Sequence, residues 1–254
     1  MMDIGDFDRF VRDVLEIDRI DPSDVALNGL QVGRRGRELK KIAFAVDACM
    51  ESFRRAVDVE ADLLFVHHGL FWGKPYRLVG TLYERVRFLI ENDLALYAVH
   101  LPLDMHPLYG NNAGIAGRLG LKEVEPFGEY HGIKIGLKGN LSQPRVIDEL
   151  VQLVSSDNSK PLGILPFGPE RIKRVGIVSG GASEMVRQAV SEGLDLYITG
   201  DASHTVYHEA LESCINVIFA GHYATETWGV RLFKGKVESE LGVETCFIDI
   251  PTSL

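Results

Sequence analysis

The chain has little of what cross-linked or membrane proteins are built from. It has 3 cysteines in 254 residues. Cys49, Cys214 and Cys246 form no C-x-x-C pair, so neither a disulfide framework nor a four-thiolate zinc site fits, and a reducing, cytoplasmic setting is expected. No run of about 18 apolar residues occurs, so no membrane span is expected. The opening Met1-Met2-Asp3-Ile4-Gly5-Asp6 lacks a basic-then-apolar leader. Basic residues are outnumbered 27 to 36, for a net charge of −9. The densest basic run, Arg34-Arg35-Gly36-Arg37, is short. That balance argues against non-specific DNA binding and leaves a local nucleic-acid patch open. A complete phosphate-binding loop is also missing: Ser179-Gly180-Gly181-Ala182-Ser183 lacks the P-loop lysine and the dinucleotide spacing, although its glycines could cradle an anion. What is present is ordinary globular usage, 46% hydrophobic and 25% charged, enough for one large domain or two smaller ones.

A pattern recurs along the chain. Lys40-Lys41-Ile42-Ala43-Phe44-Ala45-Val46-Asp47 predicts a buried strand, residues 50–57 have helical spacing, and Leu63-Leu64-Phe65-Val66-His67-His68-Gly69 predicts a second buried strand running into a loop. The same order returns in Lys173-Arg174-Val175-Gly176-Ile177-Val178-Ser179, the helical stretch 184–190, and Asp195-Leu196-Tyr197-Ile198-Thr199-Gly200-Asp201. At one constant offset Glu51 meets Glu184, Arg54 meets Arg187, Ala56 meets Ala189 and Asp62 meets Asp195, while His67 meets Gly200 and His68 meets Asp201. At a slightly shorter offset, helix 83–90 and strand 94–100 correspond to helix 207–211 and strand 215–222. Each copy reads strand, helix, strand, helix, strand, the signature of parallel α/β packing.

The remainder is predicted more coarsely. Between the copies, 132–137 reads as a strand, 143–154 as a helix started by Pro144, and 162–165 as a short strand. The C-terminal part reads as a helix over 226–241, disturbed by Gly229 and Gly235, then a strand over 243–250. Residues 7–17 read as an amphipathic helix. The expected organisation is a first α/β module at 1–123, a small inserted or outer segment at 124–172, and a second α/β module at 173–254.

Chemistry gathers where strands end, the place where parallel α/β folds bind ligands. Of 8 histidines, His67, His68, His100 and His222 lie at predicted carboxyl ends. His100-Leu101-Pro102-Leu103-Asp104 is H-x3-D and His222-Tyr223-Ala224-Thr225-Glu226 is H-x3-E, in corresponding loops of the two copies. Helical spacing puts His222 and Glu226 on one face. Pro102 argues against a helix in the first loop, so Asp104 could bind a metal while His100 stays behind it. His67, His68, Asp104, His222 and Glu226 together form a mixed imidazole and carboxylate set suited to zinc, iron, manganese, cobalt or nickel. Side chains of adjacent residues on extended backbone diverge, so His67 and His68 could serve different ions of a pair, with Glu226 as bridge. The competing readings are a chance HH pair and an ordinary exposed-helix H-x3-E pair. The fold expected from all this is α/β: two related modules from an internal repeat, intimately packed around a metal-binding cleft.

Other residues carry weaker readings. Asp47 is either a partner behind the ligands or a helix N-cap. Asp201 and His204, like His100, are possible proton relays. His106 and His208 read mainly as surface residues. Asn28 and Gln31 read as a turn leading to a strand, with pocket lining as the alternative. Phe71, Trp72 and Trp228 could floor a pocket or cover a subunit contact. The cysteines read as packing residues.

Taken in order, Asn28-Gly29-Leu30-Gln31-Val32-Gly33, Phe65-Val66-His67-His68-Gly69-Leu70-Phe71-Trp72, His100-Leu101-Pro102-Leu103-Asp104, Thr199-Gly200-Asp201-Ala202-Ser203-His204 and Gly221-His222-Tyr223-Ala224-Thr225-Glu226 resemble the Nif-three-like dinuclear-metal family, whose members often carry the name GTP cyclohydrolase 1 type 2 homolog. The resemblance spans essentially the whole chain. It implies two related α/β modules around a cleft with two divalent metals: His68 and Asp104 on one ion, His67 and His222 on the other, and Glu226 bridging. It also implies a toroidal homohexamer with sites facing the central cavity, and relatives tied to DNA damage tolerance and protein regulation. The expected function is a metal-dependent hydrolase of unread substrate, a small molecule being one option, with iron, manganese, zinc or a similar ion. The alternative is a non-catalytic, ring-shaped, metal-containing scaffold or regulatory binding protein.

Overall fold

A capping box opens the fold. The Asp3 side chain accepts from the Asp6 amide and the Asp6 side chain accepts from the Asp3 amide, satisfying two donors that a helix start leaves open. The computed structural model describes residues 2–20, 24–34, 36–155 and 160–254; Arg35 of the basic run lies outside them. Along the chain run α1 (Ile4–Val14), α2 (Ile17–Ile20), β1 (Gly29–Val32), β2 (Lys41–Asp47), α3 (Met50–Asp58), β3 (Leu63–His68), α4 (Gly80–Glu91), β4 (Ala95–Ala98), α5 (Leu101–Met105) and α6 (Asn111–Leu119). There follow β5 (Lys122–Tyr130), β6 (Ile133–Arg145), α7 (Ile147–Val154), β7 (Gly163–Pro166), β8 (Ile172–Val178), α8 (Val186–Ser191), β9 (Leu196–Thr199), α9 (Val206–Glu212), β10 (Asn216–Phe219), α10 (His222–Leu241) and β11 (Glu244–Phe247). The chain divides into two compact units. Unit 1 is Met1–Leu103 with Val230–Ile250, and unit 2 is Asp104–Gly229 with Pro251–Leu254.

Unit 1 is built on a five-stranded sheet of order β1-β4-β3-β2-β11. β11, β2, β3 and β4 are mutually parallel and β1 pairs antiparallel with β4. Both faces are covered, which explains strands that read as continuous apolar runs rather than alternating ones. On one face the register sets Phe44 beside Phe65 and Phe65 beside Tyr97. Phe7 and Phe233 pack on this aromatic row, with ring centroids 5.5 Å from Tyr97 and 5.2 Å from Phe65. Each such fully buried ring contributes about 1.5–3 kcal/mol of transfer free energy. The Tyr97 hydroxyl donates to Asp8 at 2.9 Å, so the ring is buried without an orphaned polar atom. On the other face Ala43, Ala45, Leu64, Val66 and Leu96 meet Phe53 and Ala56 of α3 and Leu89 of α4.

Unit 2 holds a six-stranded sheet of order β5-β6-β8-β9-β10-β7. β8, β9 and β10 are parallel, while β5, β6 and β7 pair antiparallel. Ile177, Leu196, Ile198 and Ile218 pack there with Ile115 and Leu119 of α6 and Leu150 of α7. One local device occurs in both units. The Asp62 carboxylate accepts from the amides of Lys40 and Lys41 at the start of β2, and Asp195 accepts from those of Lys173 and Arg174 in β8.

The three strands of each copy are parallel as expected. Three expectations are corrected. Pro102 lies inside α5, because the first turn of a helix needs no amide hydrogen there. Pro144 does not start a helix. It sits near the end of β6, where the pairing with β8 is irregular between Asn140 and Arg145, and α7 begins at Ile147. The C-terminal helix begins at His222, a full turn before Glu226. Among the described residues no helix is long and apolar enough to cross a membrane.

Candidate metal centre

Unit 1 presents imidazoles at the ends of β3 and β4. Period-two alternation sends the side chains of neighbouring strand residues to opposite faces. His67 follows the Phe65 face and is fully buried, while His68 follows the Val66 face and is partly exposed. At the strand end their rings lie 4.5 Å apart, and His100 stands 5.1 Å from His67. His67, His68 and His100 each offer a nitrogen within 4.8 Å of the others.

The partners behind these rings fix which nitrogen faces forward. His67 Nδ1 lies 3.0 Å from the Val99 carbonyl, which can only accept, so Nδ1 carries the hydrogen and Nε2 is the ligating atom. His68 Nδ1 donates to Asp47 Oδ1 at 2.8 Å. This bond follows from register, since Asp47 and His68 are paired across β2 and β3. The helix cap is taken by Cys49 instead. His100 Nδ1 meets Asp24 Oδ1 at 2.9 Å. The buried Asp24 carboxylate also accepts from the Ala26 and Leu101 amides and from Asn28 Nδ2. Burial acts to raise the Asp24 pKa, but these donors, His100 foremost, hold it below the ordinary value. Asn28 Oδ1 accepts from the His100 amide, and Gln31 Oε1 from the Leu70 amide, so both stitch the loops that carry the histidines. Trp72 stands edge-on to His100 at 5.0 Å.

Unit 2 presents carboxylates. Glu226 and Asp104 are buried, at 3% and 6% exposure. Glu226 offers an oxygen within 4.8 Å of a ligand atom of Asp104 and of His222. Helical spacing on α10 sets His222 Nε2 3.2 Å from Glu226 Oε1, and His222 Nδ1 lies 2.9 Å from Asp201 Oδ1. Burial lowers the His222 pKa, yet Glu226 and Asp201 together push it up to about 9. In the metal-free protein a proton therefore sits between an imidazole and a carboxylate, where a cation would replace it. Gly180 has φ +66°, and a Cβ there would stand 2.2 Å from Glu226 Oε1, so the glycine loop presses directly on this carboxylate.

Three residues hold Asp104: Ser179, read in the sequence only as the start of a glycine loop, and Asn111 and Asn112, which no motif singles out. Asp104 Oδ1 accepts from Asn111 Nδ2 and Ser179 Oγ, both at 2.8 Å. Asn112 Nδ2 donates to the Asp104 and Ile135 carbonyls, and its Oδ1 accepts from the Ser179 amide. Asn111 and Asn112 are fully buried. The one available hint is a tandem polar pair opening an otherwise apolar helix.

The other candidates fall elsewhere. His204 is exposed in the turn before α9 and joins none of the described ligand groups. His106 Nδ1 accepts from the Leu108 and Tyr109 amides, so it caps a turn, and His208 is exposed. Trp228 packs against the core of unit 2 instead of flooring a pocket. Cys214 is exposed, at φ 53°, not packed.

The donor set fits a divalent metal. Imidazoles whose far nitrogen is held by a carboxylate or carbonyl, alongside hydrogen-bonded carboxylates, are the usual surroundings of first-row metals. The model of the Duf34/NIF3 (NGG1p interacting factor 3) family matches residues 2–253. The chain belongs to that family. A Duf34/NIF3 relative from Archaeoglobus fulgidus, named GTP cyclohydrolase 1 type 2 homolog, is 45% identical over 253 residues, covering 100% of both chains. A protein of the same name from Treponema pallidum is 41% identical over 286 residues, again with 100% of both covered. The crystal structure of TTHA1606 from Thermus thermophilus has a TM-score of 0.89 at 37% identity, covering 100% of each chain.

Proposed function

We propose that this Duf34/NIF3 chain is a dinuclear-metal hydrolase of a small-molecule substrate. His68 and Asp104 would hold one ion, His67 and His222 the other, and Glu226 would serve both. The carrying observation is the set of held donors: His67, His68 and His222 each have Nδ1 engaged by an acceptor, and Asp104 receives two donors on one oxygen. When bound, a pair of divalent ions supplies a hydroxide at neutral pH and stabilises a leaving oxygen. The chain's own part is to hold donors rigidly, with Asp47 and Asp201 orienting His68 and His222. His100, held by Asp24, is the candidate to move a proton at Nε2, with Asp201 and His204 as further relay candidates. Iron, manganese or zinc satisfies this donor set. The recurrence of three successive parallel strands and of the Asp62 and Asp195 clamps supports descent of the two sheets from one repeated module. A homohexamer is the assembly to test.

The second reading is a metal-containing interaction scaffold, favoured by the family's description as an interacting factor. Turnover separates the two. Metal-stripped and reloaded protein is assayed on a panel of GTP, phosphoesters and amides. Saturable turnover that appears only on reloading supports the hydrolase. Retained metal with no turnover on any substrate, together with specific capture of a protein or polymer, supports the scaffold.

A further inference from the structure

The Asn111–Asn112–Ser179 network does more than fill space. A carboxylate oxygen has two lone-pair directions, and Asp104 Oδ1 meets two donors at 2.8 Å, one amide and one hydroxyl. That oxygen is saturated by the protein. Both donor residues are anchored. Asn111 Oδ1 accepts from the Gly229 amide at 2.7 Å, and Ser179 is tied through its own amide to Asn112 Oδ1 at 2.9 Å. Gly229 lies one helical turn beyond Glu226 on α10, and a Cβ there would come within 2.7 Å of Asn111 Oδ1. The glycine is what lets Asn111 reach the helix backbone. One buried amide thus touches the Asp104 carboxylate with one end and the helix that carries Glu226 with the other.

We propose that Asn111 and Ser179 are positioning residues that make Asp104 a single-oxygen ligand and lock its place relative to Glu226. The idea rests on the metal-centre reading above. It predicts that removing either donor opens Oδ1, so that the carboxylate turns and takes the ion with both oxygens.

The test uses the full-length protein, stripped of metal and titrated with cobalt(II). Ser179→Ala deletes the hydroxyl donor. Asn111→Asp deletes the amide donor yet keeps an acceptor for Gly229. Ser179→Thr retains the hydroxyl. Cobalt affinity is read by chelator competition, coordination by the visible absorption, and folding by the melting temperature of the metal-free form. Loss of such a partner behind a ligand costs about 10–100-fold in metal affinity, and that is the expected loss for Ser179→Ala and Asn111→Asp. The cobalt bands of both variants weaken as coordination number rises, while Ser179→Thr keeps the wild-type spectrum. Variants that melt lower but keep the wild-type spectrum and affinity would show a purely structural network and overturn the proposal. If Asn111→Asp does not fold, Ser179→Ala against Ser179→Thr decides. Wild-type protein that takes up no cobalt overturns the metal-centre reading itself, a result distinct from bound cobalt that ignores the variants.

Discussion

The strand ends in unit 1 and the helix start in unit 2 solve the same problem with opposite donors. At the ends of β3 and β4 the forward groups are imidazoles, and the carboxylates Asp47 and Asp24 stand behind them as acceptors. At the start of α10, Glu226 is itself forward, within 4.8 Å of Asp104 on α5, both buried, and His222 is the cation between Glu226 and Asp201. Two buried carboxylates at that spacing disfavour joint ionisation unless a positive charge is near. The unit 2 half therefore depends on a proton or an ion to bring its two carboxylates together.

That contrast sets an order of expected effects. The largest belongs to His222→Ala in metal-free protein, which removes the cation and strands two carboxylates. Breaking a fully buried pair costs about 3–5 kcal/mol. His222 is 33% exposed, so solvent screening reduces the expected loss to about 1–3 kcal/mol, read by urea unfolding. His68→Ala should cost less in the same metal-free assay, and an equal loss would break the comparison.

Next in size is the pH response. The folded His222 pKa is raised to about 9, above the unfolded value of about 6.5. Its contribution to metal-free stability is fully present below about pH 6.5 and is lost as pH rises through about 9. Metal needs the neutral imidazole, so metal affinity moves the other way, climbing across the same window. Chelator competition at stepped pH measures this. The His222→Ala variant should flatten both curves.

Smaller again are the acceptors behind the rings. Asp201→Asn and Asp47→Asn should each weaken metal retention by about 10–100-fold. In metal-free protein Asp201→Asn also lowers the His222 pKa, which NMR titration of the ring reads directly, while Asp47→Asn leaves it in place. The smallest effect on metal content is expected for Asp24→Asn. It replaces one of two oxygens that each accept two donors and loses the charge opposite His100, so it loosens the loop and slows turnover without emptying the metal site, a split between rate and occupancy that steady-state kinetics with metal analysis resolves.

Much of the fold was legible because buried parallel strands and amphipathic helices leave long, regular patterns. The runs at Ile42–Val46 and Leu63–Val66 became the centre of one sheet, and Val175–Val178 and Leu196–Thr199 that of the other. The edge strand β5, mostly exposed and containing Pro126 and Gly128, left no such pattern and was not predicted. The H-x3-E motif fell on a helix as spacing required. The H-x3-D motif did too, against the expectation from Pro102, because a first-turn proline costs nothing. Asn111 and Asn112 escaped notice, and Ser179 reads only as the start of a glycine loop, for a different reason. Their role exists only through contacts such as Ser179 to Asp104 and Asn111 to Gly229 that span much of the chain, and no local period encodes such contacts. Asp24 is alike: its four donors come from Ala26, Asn28, His100 and Leu101, and only folding collects them.

The most direct test of the account is the metal content per chain, measured by elemental mass spectrometry on untagged protein purified without oxygen or chelator, beside Glu226→Gln. The account predicts about two ions per chain in the wild type and a loss of both in the variant, because the bridge serves the two together. No metal in either protein after exposure to iron, manganese and zinc, or a variant as fully loaded as the wild type, would contradict it.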